Sequence, residues 1–161
     1  MTKIPILDYL TKVVNSENVD EFTNYQIYPT AISKTLRFQI TDVASGEAKV
    51  SINTDHEIHG NQQGTIHGGL LCELADAAIG TAHSPLMNEG ESFTSIELKI
   101  NFFRPTWKDK FTAHARPIQS GKTITVYHCE ITNTEGKLAA AVTSTVMTLK
   151  GDKAKGDSLV F

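Results

Sequence analysis

Cysteine is scarce in this chain. Cys72 and Cys129 are the only two among 161 residues, too few for a disulfide framework or a thiolate metal site, and each reads as a small packed residue. A basic excess is missing as well. Fifteen Lys and Arg against eighteen Asp and Glu leave a net charge of −3, which argues against a nucleic-acid binder but leaves room for an anionic small ligand held by a few local cations. No apolar run approaches the ~18 residues of a membrane helix. Pro5, Asp8 and Lys12 interrupt the opening segment, and no small-residue cleavage site follows it, so it does not read as a secretory signal. The expected setting is the cytoplasm. A bias toward disorder is also absent: 40% of the residues are hydrophobic, and the length suits one domain with a real core.

The apolar pattern that is present changes character along the chain. Residues 5–15 place Ile6, Leu7, Leu10, Val13 and Val14 at helical spacing behind Pro5, predicting a short amphipathic helix within residues 1–20. Alternation then predicts a hairpin of two strands, Lys34–Val43 and Glu47–Asn53, around Ala44-Ser45-Gly46. Residues 54–66 are polar and turn-rich. The one strong helix follows, roughly Gly68 to Met87, with Leu70, Leu71, Leu74, Ala75, Ala78 and Thr81 in a stripe and Pro85 near its end. Four strands complete the pattern: Ser92–Phe103, Lys110–Gln119, Thr123–Thr132 and Lys137–Leu149. Short turns between them imply antiparallel pairing. The expectation is an α+β domain in which a six-stranded antiparallel sheet wraps one long helix. Its core spans 33–149, and a loose tail occupies 150–161.

The most informative segment opens that helix. His67-Gly68-Gly69 places two glycines where each costs ~1 kcal/mol relative to alanine. Glycine there lets a ligand or another backbone come close to N–H groups that have no helical partner and lie at the positive end of the helix dipole. Such groups can hold an anion, or a carbonyl oxygen that becomes negative during attack. The same pair would also serve a plain loop-to-helix junction needing positive φ. Asp76 lies mid-helix, where it cannot cap, among Ala75, Ala77 and Ala78, with Glu73 one turn earlier. It suits a nucleophile or a base on water, and equally a solvated helix face.

His-Gly-Gly followed by Leu-Leu-Cys-Glu-Leu-Ala-Asp-Ala-Ala resembles the hotdog-fold acyl-CoA thioesterases, in the phenylacetate-pathway (PaaI-like) branch of the 4-hydroxybenzoyl-CoA thioesterase superfamily. Lys99-Ile-Asn-Phe-Phe-Arg104-Pro105 looks like that family's strand after the helix, and the likeness extends over roughly Thr35 to Leu149. The resemblance implies a hotdog fold and hydrolysis of an acyl- or aryl-CoA to free acid and coenzyme A, without a metal or other cofactor. Asp76 matches the catalytic acid, as nucleophile or general base. Gly69, with Gly68, matches the backbone donor to the thioester carbonyl, and His67 matches the histidine that organises the loop. Asn61 matches an asparagine that places carbonyl or water, and Ser95, with Thr94 as the lesser candidate, falls where a hydroxyl stands near the water. Coenzyme A phosphates would be held by cations among Arg104, Arg116, Lys122 and Lys137, with the Ser120-Gly121-Lys122 turn fitting best. The resemblance also implies a homodimer at minimum, commonly doubled to a homotetramer, with Asp76 and the His67 loop of one site coming from different chains.

Two rivals stand beside this reading. A hotdog dehydratase or hydratase would bring a catalytic histidine and a Pro-rich loop, yet residues 54–66 hold no proline. A non-catalytic acyl-CoA binding module would hold the thioester without turnover. Asp55-His56-Glu57-Ile58-His59 has metal-ligand residue types but no recognised ligand frame, and reads as a surface loop.

Overall fold

Residues 1–154 are described in the computed structural model. The chain begins with β1 (Thr2–Lys3), α1 (Ile6–Val14), β2 (Phe22–Thr23) and α2 (Ala31–Leu36). The body follows as β3 (Gln39–Ala44), β4 (Glu47–Asn53), the single turn α3 (His56–His59), the long α4 (Gly68–His83), β5 (Ser92–Phe102), β6 (Lys110–Ser120), β7 (Ile124–Thr132) and β8 (Leu138–Leu149). The six body strands form one antiparallel sheet in the order β3-β4-β6-β7-β8-β5, with α4 across it: the hotdog architecture. The expected tail over 150–161 falls mostly outside the described residues, with Gly151–Ala154 forming a short 3-10 turn.

Period-two patterning builds the inner face of the sheet. Ala48, Val50 and Ile52 of β4 point inward, as do Phe111, Ala113 and Ala115 of β6, and Tyr127, Cys129 and Ile131 of β7. Leu71, Leu74, Ala75, Ala78, Ile79 and Ala82 make the matching stripe on α4. Alanines on both sides of the contact let the helix lie close to the strands, and these residues form one core cluster. The α-helix stops at His83, short of the Met87 expected from the pattern, and continues as a 3-10 turn over Ser84–Leu86. Pro85 causes this: it has no N–H to donate, and its ring crowds the carbonyl four residues back.

The first body strand differs from its sequence reading in a similar way. Residues 34–36 belong to α2. Thr30 caps that helix, accepting a hydrogen bond from Ser33 N (3.2 Å), and Arg37 ends it in the left-handed region at φ 59°. The strand therefore begins at Gln39, although Phe38 and Ile40 still pack on the core as the alternation requires.

The N-terminal elements form a smaller cluster of their own. Ile6, Tyr9 and Leu10 of α1 pack with Val13, Phe22, Tyr25 and Tyr28, against Ile40 and Val43 of β3. The unit is pinned to the far end of α4: Tyr28 OH meets Ser84 Oγ (2.7 Å), Gln26 Nε2 donates to Ser84 O (3.3 Å), and Tyr25 OH donates to Met87 O (2.5 Å).

Candidate active site

The start of α4 is organised by His67. It is the N-cap residue, and its Nδ1 accepts from Gly69 N (3.0 Å). An accepting Nδ1 places the proton of the neutral ring on Nε2. Gly68 and Gly69 have ordinary helical backbone, so positive φ is not the reason for either glycine. A Cβ on Gly68 would come 2.9 Å from the tip of the Phe102 ring, which shows how closely that ring covers the first turn. Gly69's N–H is already committed to His67 Nδ1 and Leu70's to His67 O, whereas Gly68's N–H, the first of the helix, has no acceptor among the described residues.

Asp76 lies two turns further along. Ser95 Oγ donates to its Oδ1 at 2.9 Å. β5 carries a register shift between Ser95 and Glu97, so Ile96 is an extra residue there. Such a bulge re-aims the neighbouring side chains, here placing Ser95 against the carboxylate. Of the two hydroxyls considered, Thr94's turns instead toward Ser95 O (3.5 Å). Glu73, one turn before Asp76, has no hydrogen-bond or ion-pair partner among the described residues; burial raises its pKa above the usual carboxylate value, with the Asp76 charge adding to the effect.

Asp76 and Glu73 open onto a cleft of about 780 Å³. Its walls include Ala77, Gly80 and Ser84 of the same helix face, Phe93 of β5, and residues of α1 and the 26–33 segment. A smaller depression of about 450 Å³ lies at the start of α4, lined by Asn61, Gly68, Phe102 and Arg104. The expected site residues are thus divided between two hollows. Eight residues of helix separate Gly68 from Asp76, ~12 Å along the axis.

The remaining candidates fall as follows. The Asn61 side chain closes its own loop: Oδ1 accepts from Gln63 N (2.9 Å) and Thr65 N (3.2 Å), and Nδ2 donates to Thr65 Oγ1 (2.8 Å). Arg104 uses Nε on Leu138 O (2.8 Å) and is otherwise exposed. Arg116 pairs with Glu130 (3.1 Å) and Lys137 with Glu135. Lys122 is exposed and has no ion-pair partner among the described residues. Gly121 is required beside it, since a Cβ there would meet Ile124 O at 2.8 Å. The 55–59 segment, read as a surface loop, is one helical turn. Asp55 accepts from Glu57 N (2.9 Å) and pairs with Lys108 (3.0 Å), contacts that hold its carboxyl below the usual range, and Asp55 N donates to His59 Nδ1 (3.0 Å). The sequence reading missed the part of the cleft built by α1 and residues 26–33. The amphipathic stripe of α1 was visible, but not what its far side would face.

The six-stranded antiparallel sheet laid against one long helix is the hotdog fold. Comparison with known proteins agrees. The family model described as the thioesterase superfamily matches residues 63–140. The acyl-coenzyme A thioesterase PaaI of Escherichia coli is 33% identical over 112 residues, which cover 68% of this chain and 76% of that protein. The structure of the E. coli PaaI protein superposes with a TM-score of 0.73 at 25% identity, covering 91% of this chain and 97% of that one. A thioesterase structure from Haemophilus influenzae gives a TM-score of 0.70 at 25% identity over 76% of this chain and 85% of its own. The chain belongs to the thioesterase superfamily, a family of thioester hydrolases. No helix among the described residues is long and apolar enough to cross a membrane.

Proposed function

We propose that this protein hydrolyses an acyl-CoA thioester to the free acid and coenzyme A, in a site shared between two copies of the chain. The observation that carries the reading is the Asp76 carboxylate, fixed through Oδ1 by Ser95 and facing a cleft large enough for an acyl group. Its other oxygen attacks the carbonyl carbon or takes a proton from the attacking water. The carbonyl oxygen, turning negative, needs a donor about 3 Å away, and Gly68's free N–H at the helix N-terminus is suited to that role. One chain cannot supply both groups to one carbonyl, because ~12 Å of helix separates them. A second chain can, and β5 gives it a place to attach, since only β8 pairs with this strand and its outer edge is open. Two such dimers would form the tetramer. Lys122 and Arg104 are the cations we assign to the coenzyme phosphates.

The test is thiol release from a panel of acyl-CoA thioesters by wild type, Asp76→Ala and Asp76→Asn. Loss of ~10²–10⁴-fold in kcat is expected for both variants; full turnover in both would remove Asp76 from the mechanism. A single turnover in ¹⁸O-labelled water, with hydroxylamine trapping beside it, separates the two roles of Asp76. Label or hydroxamate at the Asp76 carboxyl marks the nucleophile through its anhydride; label only in the released acid with no hydroxamate at Asp76 marks the base.

A further inference from the structure

The cleft beyond Asp76 has a chemistry of its own. It follows one face of α4 from Asp76 through Ala77, Gly80 and Thr81 to Ser84, ~12 Å along the helix. An extended chain gains ~3.5 Å for every three backbone bonds, so that distance accommodates about ten bonds of a linear substituent. At about 780 Å³ the cleft lies high in the ~300–1,000 Å³ range of small-molecule sites, and a compact aryl group would leave most of it unfilled.

The wall facing α4 is built by the N-terminal unit, with Leu10, Val13 and Val14 of α1 and Ile27 and Ile32 beyond it. These residues lie outside the segment that the family model matches. Along the α4 side of the lining, three hydroxyls turn their hydrogens into the protein. Thr81 Oγ1 donates to Ala77 O (2.7 Å) and Ser84 Oγ to Gly80 O (2.9 Å). Ser84 then has no proton left to give, so Tyr28 OH is the donor in its 2.7 Å contact with Ser84 Oγ. None of these three hydroxyls keeps a hydrogen for a ligand. Among the described residues no Lys, Arg or His lines the cleft, and its charged groups are Glu73 and Asp76. An acyl group bearing its own carboxylate would find no cation there and two like charges.

We infer that the cleft takes an uncharged, linear aliphatic acyl chain, and that α1 together with Ile27 and Ile32 gauges its length. This rests on the hydrolase reading only for which end of the acyl group meets Asp76.

The experiment compares kcat/KM for hexanoyl-, octanoyl-, decanoyl-, phenylacetyl- and ω-carboxynonanoyl-CoA on wild type and on the wall variants Ile32→Trp and Val14→Phe. The same proteins are titrated with S-hexyl- and S-decyl-CoA thioethers, which bind but cannot be hydrolysed. In wild type kcat/KM should climb about fourfold per methylene from hexanoyl to decanoyl. Phenylacetyl-CoA should fall below decanoyl-CoA, and the ω-carboxy chain by at least about a hundredfold. Both wall variants should lower the decanoyl-to-hexanoyl ratio, and Ile32, already 45% exposed, tolerates a larger side chain without disturbing the core. A flat series, an ω-carboxy chain handled as well as decanoyl, or an unmoved ratio in both variants would overturn the inference while leaving hydrolysis standing. Absence of all turnover, with thioether affinity still rising with chain length and the wall variants still lowering that rise, would support the cleft assignment and defeat the hydrolase reading.

Discussion

A single backbone N–H separates Gly68 from Gly69. Both were expected to serve the carbonyl; His67 Nδ1 occupies Gly69's donor, so the proposed oxyanion donor is Gly68. That residue is the first of α4, where proline is tolerated, and His67 before it has φ −64° and ψ 131°, a conformation that precedes proline readily. Gly68→Pro should therefore remove the donor and keep the helix, lowering kcat by ~10²–10³. Any Cβ here meets the Phe102 ring at 2.9 Å, so Gly68→Ala, which carries that Cβ but keeps the N–H, is the control and should lose far less. A kcat for Gly68→Pro within a fewfold of wild type would move the donor elsewhere. Glu73 makes a different prediction. Its folded pKa is raised, so its ionised form is disfavoured in the native state, and stability falls as pH rises through that pKa. Glu73→Gln should raise Tm at pH 7–8, and the gain should vanish below the unfolded pKa of ~4.3. Differential scanning at both pH values checks it.

At the scale of elements, the far end of α4 carries the most consequential buried polar group. His83 is 1% exposed, with Nδ1 on Tyr127 OH (3.0 Å), Nε2 on Thr148 Oγ1 (3.2 Å) and its ring edge-on to Phe93. Burial pushes its pKa down to about 4. The unfolded chain takes up a proton near pH 6.5 that the folded one refuses, so the His83 contribution to stability should be constant above pH 6.5. It should fall by on the order of 3 kcal/mol down to pH 4, then level off. Urea midpoints across that window should show this slope in wild type and lose it in His83→Gln. Elements also show where sequence patterns suffice. The hairpins β6–β7 and β7–β8 were readable because inward residues alternate and short turns separate the strands. The hairpin expected between β5 and β6 does not form, because β5 crosses over to pair with β8 at the sheet edge and β6 pairs with β4 and β7. Residues 34–36 were misread because Leu36, Phe38 and Ile40 fit a strand, while the cap at Thr30 that starts α2 acts from outside that window. The pairing of Ser95 with Asp76 was only approachable by resemblance, since it depends on a bulge one residue long. The cleft was not legible at all, because its lining is gathered from residues as far apart as Leu10 and Phe93.

At the scale of the molecule, the proposed site is completed by a partner along β5, where Ile96 is 52% exposed and Phe102 51%. Subunit mixing tests this directly. Asp76→Asn and Gly68→Pro homodimers should each be nearly inactive, whereas unfolding and refolding them together should restore about a quarter of wild-type activity. In a mixed dimer one site gathers both defects and the other none. Recovery no greater than the sum of the parents would place the whole site within one chain.

The N-terminal unit that walls the cleft has a consequence for how such a protein changes over time. Bond breaking is assigned to residues from Gly68 to Ser95, and the choice of acyl group to side chains that precede them. On that proposed division, drift in the first forty residues should shift the preferred acyl group without touching the residues assigned to hydrolysis. A graft of that stretch between relatives would carry a preference with it, as an interchangeable jaw fitted to a fixed blade.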